Sequence, residues 1–101
     1  MSVEDALSCI DSALQELTKA VRRGGDSQTF EIIFAVNNEI GRAFRVHPQM
    51  SRGLLDLQSQ VNLITISLKA GKAGRAHDAL ESSLRSLTRL KEEMAHQKEN
   101  L

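Results

Sequence analysis

The residues of this chain that could do chemistry are few, and their richest cluster is the turn Lys69-Ala70-Gly71-Lys72-Ala73-Gly74-Arg75. It precedes a run with helical spacing, so backbone amides of a helix start would lie beside Lys69, Lys72 and Arg75, an arrangement that can hold a phosphate or another anion. A nucleotide-binding loop needs a different glycine spacing, a Lys followed by Ser or Thr, and a strand before it. None of these is present, so the turn reads first as a solvated connection and only second as an anion contact. One Cys and three His are too few for a closed four-ligand zinc site within one chain, and a lone Cys forms no internal disulfide. Cys9 adjoins an apolar stripe with no His near it in sequence, which is the setting of small packing filler rather than of a nucleophile. The expectation is a chain without catalytic residues, without a metal and without a cofactor.

His77 lies in the run Arg75-Ala76-His77-Asp78-Ala79-Leu80-Glu81-Ser82-Ser83. That run is similar to the exposed helical His of histidine phosphotransfer domains, which are themselves four-helix bundles. The resemblance breaks at two places. Leu80 follows the His by three residues rather than two, and Glu81 stands where a cation should meet the phosphoryl group, which it would repel. His77 therefore reads as a solvated side chain near a helix start.

The elements that would position these residues follow from punctuation and spacing. Gly24-Gly25, Val46-His47-Pro48 and Gly71 to Gly74 divide the 101 residues into four segments. In the first, Val3, Leu7, Ile10, Leu14, Leu17 and Val21 recur at alternating steps of four and three, a stripe on one face of a helix. Ser2 with Asp5 is placed for a capping box, and Gly24 for the residue that ends the helix. The second segment contains FEIIFAV, which could be a buried strand. However, Phe30, Ile33, Phe34, Ile40 and Phe44, with Asn37 and Gly41, share a helical face, and a lone strand would have no partner. Asn37 on that face is either a packing specificity device or a poor core position. Gly41 allows close helix approach. The third segment starts at Pro48 and carries Met50, Leu54, Leu57, Val61, Ile64 and Leu68, and the fourth carries Ala76, Leu80, Leu84, Leu87, Leu90 and Met94. The prediction is an all-α, roughly four-helix antiparallel bundle with short turns, in one domain over 1–101. Its helices fall near 3–23, 27–45, 48–70 and 75–96, followed by a polar tail over 95–101.

The third helix has a second apolar set, Leu55, Leu63 and Ile66, roughly opposite its stripe and flanked by Ser59 and Asn62. These three are either core of a central helix or one half of an interface, since large exposed apolar patches are uncommon on monomers. A chain this short is near the lower limit for stability on its own core, which also favours a partner surface.

Composition narrows the function classes. Lys plus Arg and Asp plus Glu are both 13, so net charge is zero; Trp and Tyr are absent and Phe is 3. Aromatic stacking platforms for bases or flat cofactors are thereby nearly excluded. Residues 22–75 hold eight cations and four anions, a mild basic excess confined to the turns and middle helices. No run is long and apolar enough for a membrane span, and MSVEDALS lacks the features of a signal peptide. A soluble, cytoplasmic chain is expected.

Two segments resemble interaction modules. KAGKAGRAHDALESSLRSL, residues 69–87, resembles the junction of a helical tetratricopeptide repeat, although the large aromatics, the terminal Pro and a second copy are missing. Residues 6–47, through ALSCIDSALQEL followed by Ile40, Ala43, Phe44, Val46 and His47, are similar in apolar spacing to a small helical scaffolding module. Neither resemblance assigns a family, and both imply the same class. The reading is a non-enzymatic protein–protein interaction module, such as a small adaptor, assembly subunit or chaperone. Its partner is a protein or a second copy, with a dimer favoured, and Leu55, Leu63, Ile66, Ser59 and Asn62 are its candidate contacts. A nucleic-acid-binding regulator using the basic turns is the alternative.

Overall fold

The computed structural model describes residues 1–99, with side chains to residue 97. Four helices run in sequence: α1 Val3–Arg22, α2 Ser27–Val46, α3 Ser51–Lys69 and α4 Ala73–Glu99, with a single 3₁₀ turn, Pro48–Met50, before α3. The described residues contain no strand, so the FEIIFAV run is helical. The polar tail expected over 95–101 is helical as far as Glu99, and its last two residues lie outside the described ones.

Local chemistry sets the helix ends. Asp5 N–H donates to Ser2 Oγ at 3.0 Å and Ser2 N–H to the Asp5 carboxylate at 3.3 Å, the reciprocal capping box. Asp26 and Thr29 repeat the pattern at α2. α1 and α3 both end on a left-handed glycine, Gly24 at φ 105° and Gly71 at φ 70°. At each, paired amides return to the last turn: Gly25 to Ala20 and Gly24 to Val21, Lys72 to Ser67 and Gly71 to Leu68. Gly74 is not part of the break; it lies inside α4, which begins at Ala73 rather than 75. Pro48 opens a 3₁₀ turn instead of α3 itself. It has no N–H to give and holds His47 extended, at φ −131° and ψ 74°, so the chain needs one tight turn before α3 begins at Ser51.

The fold is an antiparallel four-helix bundle in which hairpins α1/α2 and α3/α4 pack most closely, with α2 beside α3 and α1 beside α4. Its core is aliphatic: Ile10, Leu14, Leu17, Ile40, Leu54, Leu57, Ile64, Leu80 and Leu90 are fully buried, and Met50 plugs the end beneath the His47 turn. Two buried hydroxyls are satisfied within their own helices, Thr18 donating to Leu14 O at 2.8 Å and Ser83 to Ala79 O at 2.9 Å. Lys91 Nζ donates to Asp11 Oδ2 at 2.7 Å, joining α4 to α1. His47 Nε2 carries the proton, because its partner at 2.9 Å is the Met1 carbonyl, which can only accept.

The core face of α2 differs from the sequence reading. The buried line is Thr29, Ile33, Val36, Ile40 and Ala43. Phe30 and Phe34 are exposed, and Phe44 is half-buried at the edge. Counting the largest side chains selects the wrong line. Spacing by four and three through Thr29 and Ala43 selects the right one, and its small ends let α1 and α3 close in.

Candidate protein interface

The outward surfaces of the four helices are unequal. Among the described residues, the large apolar side chains left exposed are Met1 and six on α2 and α3: Phe30, Phe34, Val46, Leu55, Leu63 and Ile66. α1 and α4 leave none. Of the sequence-derived contacts, Leu55 is 57% exposed, Leu63 45% and Ile66 62%, so the core reading of these three does not hold. Ser59 and Asn62 are exposed beside them.

The facing of each line follows from cross-helix contacts. Phe30 of α2 and Leu68 of α3 wall one depression, so the Phe30 side of α2 looks toward α3. Phe34, Asn37 and Gly41 continue that line by steps of four, three and four. On α3, Asp56 receives Ser86 Oγ of α4 at 2.8 Å and Arg89 Nη2 at 3.4 Å, so the Asp56 side looks toward α4. Leu63, seven residues on, shares that side, while Leu55, Asn62 and Ile66 occupy the side next to α2. The structure thus divides the set: Leu55, Asn62 and Ile66 share the α2–α3 face with Phe30 and Phe34, Ser59 points outward, and Leu63 turns toward α4.

Phe34, at 68% exposed, is the most open large apolar residue of the α2–α3 face, and Phe30 is 37% exposed. With Ile66 they offer about 330 Å² of apolar surface, taking about 200 Å² for each whole side chain, and Leu55 adds about 110 Å² farther along the same face. The first figure alone reaches the range of about 300–600 Å² for the largest patch on a monomer. Asn37 borders the patch with its Oδ1 buried and unpartnered, a defect in the α2–α3 seam.

Two helical glycines, Gly53 in the first turn of α3 and Gly41 within α2, separate intrachain packing from this face. A Cβ on Gly53 would meet Leu90 Cδ1 at 2.6 Å, so close α3–α4 packing explains that glycine. At Gly41, on the line of Phe34, the nearest atom to an added Cβ is Arg45 Nη1 at 3.7 Å. Gly there costs α2 about 1 kcal/mol relative to Ala and leaves an open notch.

The basic turns do come together. Lys69, Lys72 and Arg75 are exposed at the end of the bundle where the α1–α2 turn places Arg22 and Arg23, and Gly25 and Gly71 line one depression there. Asp26 sits among them as the α2 cap. His77 is exposed in the second turn of α4, with Glu81 one turn on. Cys9 is half-buried on α1. Among the described residues no group of three His, Cys, Asp or Glu is placed to hold a metal ion.

Comparison of the chain with models of known protein families, with curated proteins and with solved structures finds no match. The reading of this face therefore rests on its own geometry. No helix among the described residues is long and apolar enough to cross a membrane.

Proposed function

We propose that the chain is a non-enzymatic helical interaction module, an adaptor, assembly subunit or chaperone, that engages another protein through the α2–α3 face. One observation carries this: among the described residues the exposed large apolar side chains beyond Met1 all lie on α2 and α3, and α1 and α4 leave none exposed. Scattered apolar residues need no explanation, but a one-sided concentration costs solubility and is offset only when a partner covers it. Phe34 and Ile66 are the anchors, since burying either on a partner removes the largest exposed apolar area on its helix.

The test compares what immobilised wild type and a Phe34→Ser/Ile66→Ser variant retain from cell extract, quantified protein by protein. Both positions are exposed, so the variant folds as the wild type does. The reading expects proteins held by wild type and released by the variant. Equal retention of every protein by both, together with a wild type that stays monomeric in solution, would refute it.

The convergence of Arg22, Arg23, Lys69, Lys72 and Arg75 at one end favours a second reading, docking of a nucleic acid or another polyanion. Its signature is binding of mixed DNA or RNA at low salt that weakens steeply as salt rises. Absence of binding at low salt removes it.

A further inference from the structure

We propose that the α2–α3 face closes on a second copy of this chain about a two-fold axis parallel to the helices, so that Leu55 of each chain seats over Gly41 of the other. The inference rests on the interaction reading above and names its partner. Three features argue for it.

The first is area. α2 has 20 residues, about 30 Å of helix, and the bundle is 20 Å across, giving a face of about 600 Å² in projection. That approaches the roughly 800 Å² that each partner contributes to a standard interface.

The second is shape. α2 and α3 run antiparallel from the His47 turn, and the depression shared by Phe30 and Leu68 sets their level. Counting turns from there, Gly41 is level with the Leu55–Leu57 turn, Asn38 with Ser59, and Phe34 with Leu63 and Ile64. The two-fold lays α2 along the partner's α3 at these same levels. Leu55, the exposed knob at 57%, then meets the notch at Gly41, Asn38 meets Ser59, and Phe34 packs between Asn62 and Ile66. A glycine with no packing reason inside its own chain acquires one.

The third is charge. Glu31 of α2 and Lys69 of α3 are exposed, neither forms an ion pair with another described residue, and the two-fold sets Glu31 of each chain at the level of the partner copy's Lys69, at the rim of the face. The one like-charge approach, Arg45 with the partner's Arg52, falls on the rim where water and salt screen it.

The experiment is solution mass by sedimentation and light scattering over a wide concentration series, for wild type and a set of variants. Wild type is expected to dimerise. Gly41→Ala should weaken the dimer at least about tenfold, because a methyl group then overpacks both symmetric notches, while the dilute monomer melts no lower than wild type. Glu31→Lys and Lys69→Glu should each weaken association, and the two together should restore it. Wild type that stays monomeric throughout overturns self-pairing; the extract comparison then decides the interaction reading separately. A dimer indifferent to Gly41→Ala, or to the charge exchange, also overturns this arrangement. If such a dimer is nonetheless lost in Phe34→Ser/Ile66→Ser, the interaction face stands and the proposed two-fold does not.

Discussion

Replacing Gly53 by Ala puts two opposing terms of similar size in competition, and the structure decides the sign. Ala is the better helix former, worth about 1 kcal/mol in a helix interior and less at Gly53, the third residue of α3. Against this, the new Cβ would stand 2.6 Å from Leu90 Cδ1 and 3.3 Å from its Cγ, where carbon atoms rest about 3.5–4.0 Å apart. Roughly 1 Å must be found between α3 and α4. Leu90 is only 1% exposed and packed on all sides, so it cannot swing into water to provide that space. Overpacking of this kind costs about 1–3 kcal/mol, and contact this short belongs in the upper half. The net expectation is a loss of about 1–2 kcal/mol, which lowers the melting temperature by about 5–10 °C for a chain of this size. Urea denaturation followed by circular dichroism, at one fixed protein concentration, measures it. The same substitution in a Leu90→Ala background should change sign, since the clash is gone and only the helical gain remains. A more stable Gly53→Ala in the wild-type background would refute the reasoning, because it would mean α3 and α4 move apart freely.

The remaining expectations concern the ends and seams of the bundle. The Lys91 ammonium bonded to Asp11, with a smaller bond from Gln15, holds the Asp11 carboxyl below its ordinary value, against the desolvation that raises it. A lowered carboxyl pKa stabilises the fold above the unfolded value and loses that contribution as pH falls through the folded one. The pair is partly exposed, so Asp11→Asn should cost less than about 1 kcal/mol near neutrality and nothing in strong acid, and parallel pH–stability curves for the two proteins would contradict this. Met50→Ala empties the buried site under the His47 turn and should cost about 2–5 kcal/mol in thermal or urea unfolding. Asn37→Ala removes a buried acceptor that lacks a donor and adds helix propensity, so the melting temperature should rise; a fall would show that Asn37 is bonded in solution.

Much of this architecture is legible in the chain because helices are specified locally. The four-and-three spacing of α1 and α3, the Ser2–Asp5 box and the two helix-ending glycines are contacts within a few residues, and each lies where the sequence placed it. The 3₁₀ turn at Pro48 and the start of α4 at Ala73 escape because several local endings satisfy the same backbone groups. The outward set on α3 is visible as a second apolar side of one helix. Its neighbours are not, because a helical wheel gives angles within a helix and says nothing about which angle faces a neighbour.

α2 shows the limit most clearly. Two apolar lines run along it, one through Ile33, Val36 and Ile40 and one through Phe30 and Phe34, and local propensity treats both alike. The line through Phe30 and Phe34 carries the bulkier rings, and size favours it as core. Packing between α1 and α3 admits the line with Thr29 and Ala43 at its ends, and so turns the aromatics out. By itself, then, the sequence determined four amphipathic helices, the α1 capping box, the glycines that end α1 and α3, and a surplus apolar side on α3. The tertiary structure alone decided that this surplus adjoins the displaced aromatics of α2 and the Gly41 notch, and that Leu63 turns away toward α4, because facing is settled by what packs alongside a helix.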